Sequence, residues 1–403
     1  MLRGERVVVT GVGAVSALGA GAAALFDGAL TGRSGIRGWP VDDPGSRWVA
    51  APVDMPLSAT DVDRHVGLAL LAAREALGQA GLAGGVEAAE ATGVYWGTGA
   101  GSAATVEESY ARLHATPSQR PVPMTILLAM QNAPVARIAF DFGLRGPQLS
   151  VSQACASAAA AIGEAMLALR QGRADRIVAG GSEAPLVRGQ LLAWDGLRVL
   201  ARRQAEAPER SCRPFDKARS GLVLGEGAAA VVLERESVAR ARGAIILGEV
   251  AGYGSSGDAS HYARPDPAGQ RRAMAMALAD AGLEPSAIGY INAHATGTSV
   301  GDAAEGRAIV DTFGENRVAV SSTKAVHGHT LGAAGALEFV IALLAIAHGR
   351  LPPTACLDHP DVAGLDLIRG EPRQAAITAA LSNSFAFGGS NVSLALRRHA
   401  GGS

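Results

Sequence analysis

Cysteine is scarce in this 403-residue chain: Cys155, Cys212 and Cys356 are far apart, odd in number and form no C-x-x-C pair. Such spacing excludes a disulfide framework and the common zinc and dithiol redox sites, and it suits a reduced, cytoplasmic compartment. Excess charge is missing too, because 36 basic and 37 acidic side chains leave a formal net charge of −1. No global field favours nucleic acid, so any acidic partner must meet a local patch. No run approaches the roughly 18 uninterrupted apolar residues of a membrane span, and no membrane association is expected. Met1 to Arg6 followed by Val7-Val8-Val9 looks like a signal peptide only until Gly11 and Gly13 interrupt it. It reads as a first buried strand. No low-complexity linker divides the chain.

What is present is apolar and glycine-rich: 48% hydrophobic residues, 18% charged and 52 glycines. Such a chain buries a large core, and its length suits two domains or two repeats of one unit. Short β-branched runs alternate with Ala/Leu segments at helical spacing, the α/β pattern. Strands are expected at Val7–Thr10, Gly93–Trp96 and Arg176–Ala179, with helices at Gly21–Leu30 and Ala156–Gln171. After about Arg242 the pattern restarts, with strands at Ile245–Val250, Tyr290–Asn292 and Arg317–Ser321 and helices at Gln270–Ala281, Ala303–Phe313 and Ala333–His348. The last helix is the counterpart of the one after Cys155. Two similar halves, 1–242 with the cysteine and 243–403 with two histidine motifs, therefore share one core. Thr10 to Gly19 looks like a dinucleotide fingerprint but lacks its third glycine and an acidic strand end some 20 residues on, so a tight turn is preferred.

Cys155 sits in Val151-Ser152-Gln153-Ala154-Cys155-Ala156-Ser157, between an apolar strand and a helix of small residues. A helix N-terminus favours the thiolate, the reactive form, through its dipole and unpaired N–H groups. Cys212 and Cys356 lack this setting and read as incidental. His294, in Asn292-Ala293-His294-Ala295-Thr296-Gly297-Thr298, and His329, in Ser322-Thr323-Lys324-Ala325-Val326-His327-Gly328-His329, lie in Gly/Thr/Ser-rich stretches. One cysteine with two such histidines suggests thiol-based acyl transfer. His327, two residues before His329, would point the opposite way in an extended segment. His65, His114, His261, His348, His359 and His399 read as solvated or structural. Lys324, if buried, needs carboxylates, and Asp302, Glu305 and Glu338 lie in neighbouring motifs. In Asn383-Ser384-Phe385-Ala386-Phe387-Gly388-Gly389-Ser390-Asn391, two phenylalanines beside a Gly-Gly pair suit a backbone donor with a movable apolar gate.

Together these motifs resemble the elongating β-ketoacyl-(acyl carrier protein) synthases, the Cys-His-His type of the thiolase superfamily. The resemblance covers nearly the whole chain, adding Gly143–Pro147, Ala179–Ala184, Arg213–Asp216 and Gly221–Glu234 to the motifs above. It implies a thiolase-like α/β fold of two pseudo-repeated halves in five αβαβα layers. It further implies acyl transfer from a carrier protein to Cys155, decarboxylation of malonyl carrier protein beside His294 and His329, and condensation to a β-ketoacyl chain two carbons longer. Backbone N–H groups of Cys155 and Phe387 would form the oxyanion hole, and Phe387 would swing as the gate. Lys324, Asp302, Glu305 and Glu338 carry over as supporting charges, and Thr296, Thr298 and Phe385 as substrate contacts. No metal or cofactor is implied.

The chain departs from that pattern in places. Ala386 stands where a glycine is usual and Ser390 where a threonine is common. Ala100 lies where larger side chains often limit acyl length, and Thr125 lies in a stretch that lines the partner's pocket in family dimers; both are small, which suggests a roomier acyl tunnel. The usual basic docking segment reads Leu57-Ser58-Ala59-Thr60-Asp61-Val62-Asp63-Arg64 here. Arg202, Arg203, Arg210, Arg271 and Arg272, or a partner subunit, would have to supply that patch. These departures favour type II polyketide or polyene synthesis over housekeeping fatty-acid elongation. A non-catalytic chain-length-factor-type subunit is the alternative of another class, and the full Cys-His-His set argues against it. A homodimer, or a heterodimer with a homologous ketosynthase-like subunit, is implied.

Overall fold

Ten strands carry the architecture. In the computed structural model, which describes residues 5–40, 46–56, 62–82, 89–115, 120 and 122–399, the first five are β1 (Val7–Ser16), β2 (Thr92–Gly97), β3 (Gln148–Val151), β4 (Arg176–Glu183) and β5 (Gly227–Arg235). The second five are β6 (Gly248–Gly257), β7 (Tyr290–Asn292), β8 (Ala319–Ser321), β9 (Ala379–Ala386) and β10 (Ser390–Arg397). Across the main sheet they run β8-β7-β9-β10-β6-β1-β5-β4-β2-β3, with Asp366–Leu367 outside β8. Each half thus has the order 3-2-4-5-1, and the directions match: parallel among the first three neighbours, antiparallel for the last two. The halves join where β1 and β6 pair antiparallel, Val7 opposite Val250. The expected pseudo-repeat is a property of the topology.

Seven helices complete the layers: α1 (Ala22–Thr31), α2 (Arg64–Gln79), α3 (Ala133–Phe142), α4 (Ser157–Arg170), α5 (Pro267–Ala281), α6 (Ser299–Phe313) and α7 (Ala334–His348). α2 and α3 cover the outer face of the first half, α5 and α6 that of the second, and α4 and α7 lie between, each touching strands of both halves. Small residues permit that middle layer. A Cβ on Gly335 of α7 would come within 3.0 Å of the Ala159 backbone N in α4. Residues 331–348 are long and apolar enough to cross a membrane by composition, yet Glu338 interrupts them and α7 is buried in the core, with only Leu344, Ala347 and His348 less than fully enclosed.

The tight turn expected within Thr10 to Gly19 lies at its far end, where Ala17 and Leu18 reverse the chain and Gly19 and Ala20 pair back on Ser16 and Val15. β1 runs up to Ser16, and its glycines serve helix approach: a Cβ on Gly11 or Gly13 would lie 2.1 Å from the carbonyl oxygen of Ala76 or Ala72 in α2. Gly252 and Gly254 of β6 meet Ala277 and Ala273 of α5 in the same way, at 2.2 and 2.0 Å. Many glycines in this chain therefore mark strands under close-packed helices. Other boundaries shift modestly. β6 begins at Gly248, leaving Ile245 77% exposed, and α6 begins at Ser299, ahead of the expected Ala303.

Candidate active site

After β3 the chain turns sharply through Ala154, whose φ of 46° is left-handed, and Cys155 follows just before α4. A non-glycine residue there costs about 1–3 kcal/mol and is held by its surroundings. Ser157 holds it, its hydroxyl donating to the Ala154 carbonyl at 2.7 Å and accepting from the Gln153 N–H at 2.8 Å. The run of alanines lets Gly97 and Gly181 press against α4. Cys155 is 3% exposed, at the N-terminal end of that helix.

His329 arrives from the other half. Its backbone N–H donates to Val223, its carbonyl accepts from Gly225, and its Nε2 stands 3.1 Å from the Cys155 sulfur. His294 lies in the loop after β7, its own N–H and that of Ala295 donating to Glu305 at 2.9 and 2.7 Å. The two imidazoles meet edge to face, centroids 5.2 Å apart, and the Cys155 sulfur and one nitrogen of each ring all lie within 4.8 Å. Asp302 accepts from the N–H groups of Thr296, Gly297 and Phe215, so two buried carboxylates fix the loop. Lys324, fully buried, bonds Glu338 and approaches Nδ1 of His294 at 3.4 Å.

Burial and the Lys324 charge hold both His294 and His329 well below the usual histidine range, so both rings are neutral near pH 7. Burial pushes the Cys155 thiol up to about 12, although Lys324 and the backbone N–H groups of Phe387 and Cys155 favour its anion. At rest the site is a thiol beside two neutral imidazoles. Burial also lifts Glu305 to about 7 and Asp302 to about 6, against the N–H groups that they accept from.

A cavity of about 270 Å³ opens from Cys155 to the surface, lined by His294, His329, Thr296, Thr298, Glu305, Phe385 and Phe387 among others. Phe385 lies edge-on to His294, and Phe387 leans on Trp194 with centroids 5.9 Å apart. The left-handed residues of that loop are Gly388 and Gly389, at φ 84° and 77°, so Ala386 occupies no position that demands glycine. Ala100 and Thr125 do not line this cavity. Ala100 lies on a loop behind it, and Thr125 starts a short helix, Thr125–Ala129, on the exposed surface.

One expectation needs correction, and two are narrowed. Lys324–His327 is a helical turn rather than an extended segment, and His327 is fully buried against Thr323. Of the two readings left open for His65, solvated or structural, the structural one applies, since it is wholly buried between Ser102 and Ser182. Among the arginines proposed for docking, Arg210 is committed to Asp358, Arg203 donates to the Ser46 carbonyl and Arg272 to that of Gly257, whereas Arg198 and Arg264 lie at the cavity mouth. Leu57 to Asp61 lie outside the described residues, and Arg64 pairs inward with Glu226. Glu183 was missed as a site residue. Fully buried at the end of β4, it accepts from the N–H groups of Gly99, Ala100 and Gly332 and from the Thr98 hydroxyl, tying the loop behind Cys155 to the segment after His329. An acidic residue closing an otherwise apolar strand was the available signal.

A five-layered thiolase-like fold with a cysteine and two histidines at the junction of its halves defines an acyl-transferring condensing enzyme. The chain belongs to the β-ketoacyl synthase family: residues 50–239 match the model described as the N-terminal domain of β-ketoacyl synthase, and residues 247–358 the C-terminal domain. It is 41% identical over 406 residues to Nodulation protein E of Rhizobium leguminosarum bv. trifolii, covering 98% of this chain and 99% of that one. It is 40% identical over 409 residues to 3-oxoacyl-[acyl-carrier-protein] synthase 2 of Coxiella burnetii, with the same coverage. A ketosynthase solved in a type II polyketide synthase complex with its acyl-carrier protein superposes with a TM-score of 0.90 at 30% identity, covering 98% of this chain and 100% of that one.

Proposed function

We propose that Cys155 holds the growing acyl chain while malonyl carrier protein is decarboxylated beside it, giving a β-ketoacyl carrier protein in type II polyketide, polyene or fatty-acid synthesis. The observation that carries this reading is the convergence of the Cys155 sulfur and both imidazoles on one small space at the end of a surface-opening cavity. In the first half-reaction the Cys155 thiol gives its proton to His329 and attacks the carrier thioester, and the proton leaves with the pantetheine thiol. In the second, His294 and the Nε2–H tautomer of His329 donate hydrogen bonds to the malonyl thioester oxygen. Carbon dioxide departs, the enolate carbon attacks the acyl-Cys155 carbonyl, and the Cys155 thiolate is released and reprotonated. The Cys155 and Phe387 N–H groups hold the tetrahedral oxyanion, each such donor contributing about 3–4 kcal/mol.

Lys324, Glu338, Glu305 and Asp302 orient the histidines, Thr296, Thr298 and Phe385 contact the pantetheine arm, and Phe387 gates the acyl channel. Ala100 bounds the far end of that channel, and Thr125 that of the partner subunit's channel. The acidic carrier protein docks at the cavity mouth around Arg198 and Arg264. A second copy or a homologous ketosynthase-like subunit covers the apolar surface formed by Val122, Met124, Ile126, Leu127, Met130 and Phe140, beside the edge strand β3. The reaction belongs in the cytoplasm, where Cys155 stays reduced.

Intact-mass analysis tests the reading. Acyl carrier proteins should add their acyl mass to the wild-type protein and not to Cys155→Ala, which loses condensation. Cys155→Gln should lose condensation yet keep or raise malonyl decarboxylation. Condensation by the alanine variant, or no adduct from any donor, overturns the mechanism.

A further inference from the structure

Behind the cavity a buried chain of hydrogen bonds runs through His65. Trp96 Nε1–H donates to the Ser182 hydroxyl at 3.0 Å, and that hydroxyl lies 3.3 Å from His65 Nδ1. On the other side His65 Nε2 lies 3.0 Å from the Ser102 hydroxyl, which donates to the Leu128 carbonyl at 2.5 Å. Trp96, Ser182, His65 and Ser102 are each at most 2% exposed.

The two ends fix the direction of every bond. An indole N–H can only donate and a carbonyl can only accept, so Ser182 gives its proton to Nδ1 and Ser102 accepts from Nε2–H. One neutral imidazole, protonated at Nε2, satisfies every group. Burial, which disfavours the cation, agrees.

The bonds join three elements that bear on the acyl channel. Ser102 ends the loop whose start, Thr98 to Ala100, is held by Glu183, the neighbour of Ser182. Leu128 lies in the helix that begins at Thr125. Asp63, which caps α2 by accepting from His65 N–H at 3.1 Å, also accepts from Thr105 N–H at 2.9 Å in the helix that follows the loop. Ala100 and Thr125 thus stand on separate segments tied by the Ser102 hydroxyl, which His65 Nε2–H orients so that its one proton goes to the Leu128 carbonyl.

We propose that His65 is a positioning residue for acyl-chain length, orienting the Ser102 hydroxyl that holds the Ala100 loop to the Thr125 helix. This rests on the reading of Ala100 and Thr125 as channel walls. It concerns a residue that touches neither Cys155 nor the histidines of the site.

The test compares butyryl and palmitoyl carrier proteins as acyl donors, with malonyl carrier protein as extender. His65→Phe, of similar shape but without the hydrogen bonds, should keep butyryl transfer and malonyl decarboxylation. Its palmitoyl-to-butyryl ratio of kcat/KM should shift about tenfold, the discrimination that a methylene-sized change in an apolar pocket gives. Ser102→Ala should shift the ratio the same way, and His65→Gln, which keeps a donor toward Ser102, should return it toward wild type. An unchanged ratio in folded His65→Phe, or an equal loss with both donors, overturns the proposal. Ala100→Phe and Thr125→Phe separate the two failures. If they exclude palmitoyl while His65→Phe changes nothing, the walls stand and the role of His65 falls; if they leave palmitoyl transfer intact, the walls themselves are wrong.

Discussion

Lys324 Nζ stands 3.4 Å from Nδ1 of His294 while bonded to the Glu338 carboxylate. An ammonium has only protons to offer, so Nδ1 must accept and the His294 proton resides on Nε2. The lysine thereby makes Nε2 of His294 a hydrogen-bond donor, the atom that meets the malonyl thioester in the proposed reaction.

Lys324→Met should therefore lose malonyl decarboxylation by about 10²–10³-fold, the effect of removing one oxyanion donor. Single-turnover acylation of Cys155 should persist. The variant also leaves Glu338 buried without its cation, which costs about 3–5 kcal/mol. Lys324→Met/Glu338→Leu should recover thermal stability without recovering decarboxylation. Recovery of both in the double variant would show that Lys324 acts through stability alone.

The pH dependence of Cys155 alkylation discriminates between two resting states. With the thiol pushed up to about 12, the thiolate fraction grows through the whole accessible range, and only the thiolate reacts. Iodoacetamide inactivation should rise with pH from 6 to 9 without a plateau, read as loss of condensing activity and as mass added at Cys155. A plateau beginning near neutrality would instead reveal a Cys155 thiolate–His329 imidazolium pair.

How much of this was legible in the sequence differs by residue. Cys155, His294, Lys324 and His329 sit in short polar or small-residue runs amid apolar strands, and those contrasts survive in one dimension. The β-branched runs located six of the ten strands, although β1 and β6 extend six and seven residues past their expected ends. Gly11 and Gly13 misled because a glycine under a crossing helix and a glycine in a turn look alike until the helix is placed. The sequence leaves His65 either solvated or structural, because nothing in Asp63-Arg64-His65-Val66 shows that Ser102 and Ser182, from two other elements, close around it. The position of Ala100 behind the Cys155 cavity likewise depends on Glu183 reaching across from β4.

Glu183 gives a stability signature whose sign can be worked out. Burial lifts its carboxyl from 4.5 to about 7, so between these values the folded chain binds a proton that the unfolded chain has released. Stability from this group is then fully present below pH 4.5 and is lost as pH rises through 7. At one pKa unit per 1.36 kcal/mol the swing is about 3 kcal/mol. Glu183→Gln removes the titration, so wild type should lose stability relative to the variant over that range in denaturant melts at a series of pH values. A wild-type-minus-variant difference that is flat with pH would contradict the assignment.

The last prediction concerns the apolar surface beside β3. Ile126 is 65% exposed, Leu127 52%, Met130 44% and Phe140 83%, and among the described residues β3 ends the sheet with one edge unpaired. Large apolar side chains grouped this way beside an open strand edge mark a surface that a partner covers. Ile126→Glu/Leu127→Glu places two charges there without touching the Cys155 cavity. By light scattering after size exclusion, wild type should run as a dimer, or as a heterodimer when co-expressed with a homologous ketosynthase-like subunit, and the variant as a monomer. Because the same helix begins at Thr125, the monomer should also lose transfer of long acyl chains more than of short ones. A variant that remains dimeric would place the interface elsewhere, and a monomeric wild type would remove the need for one.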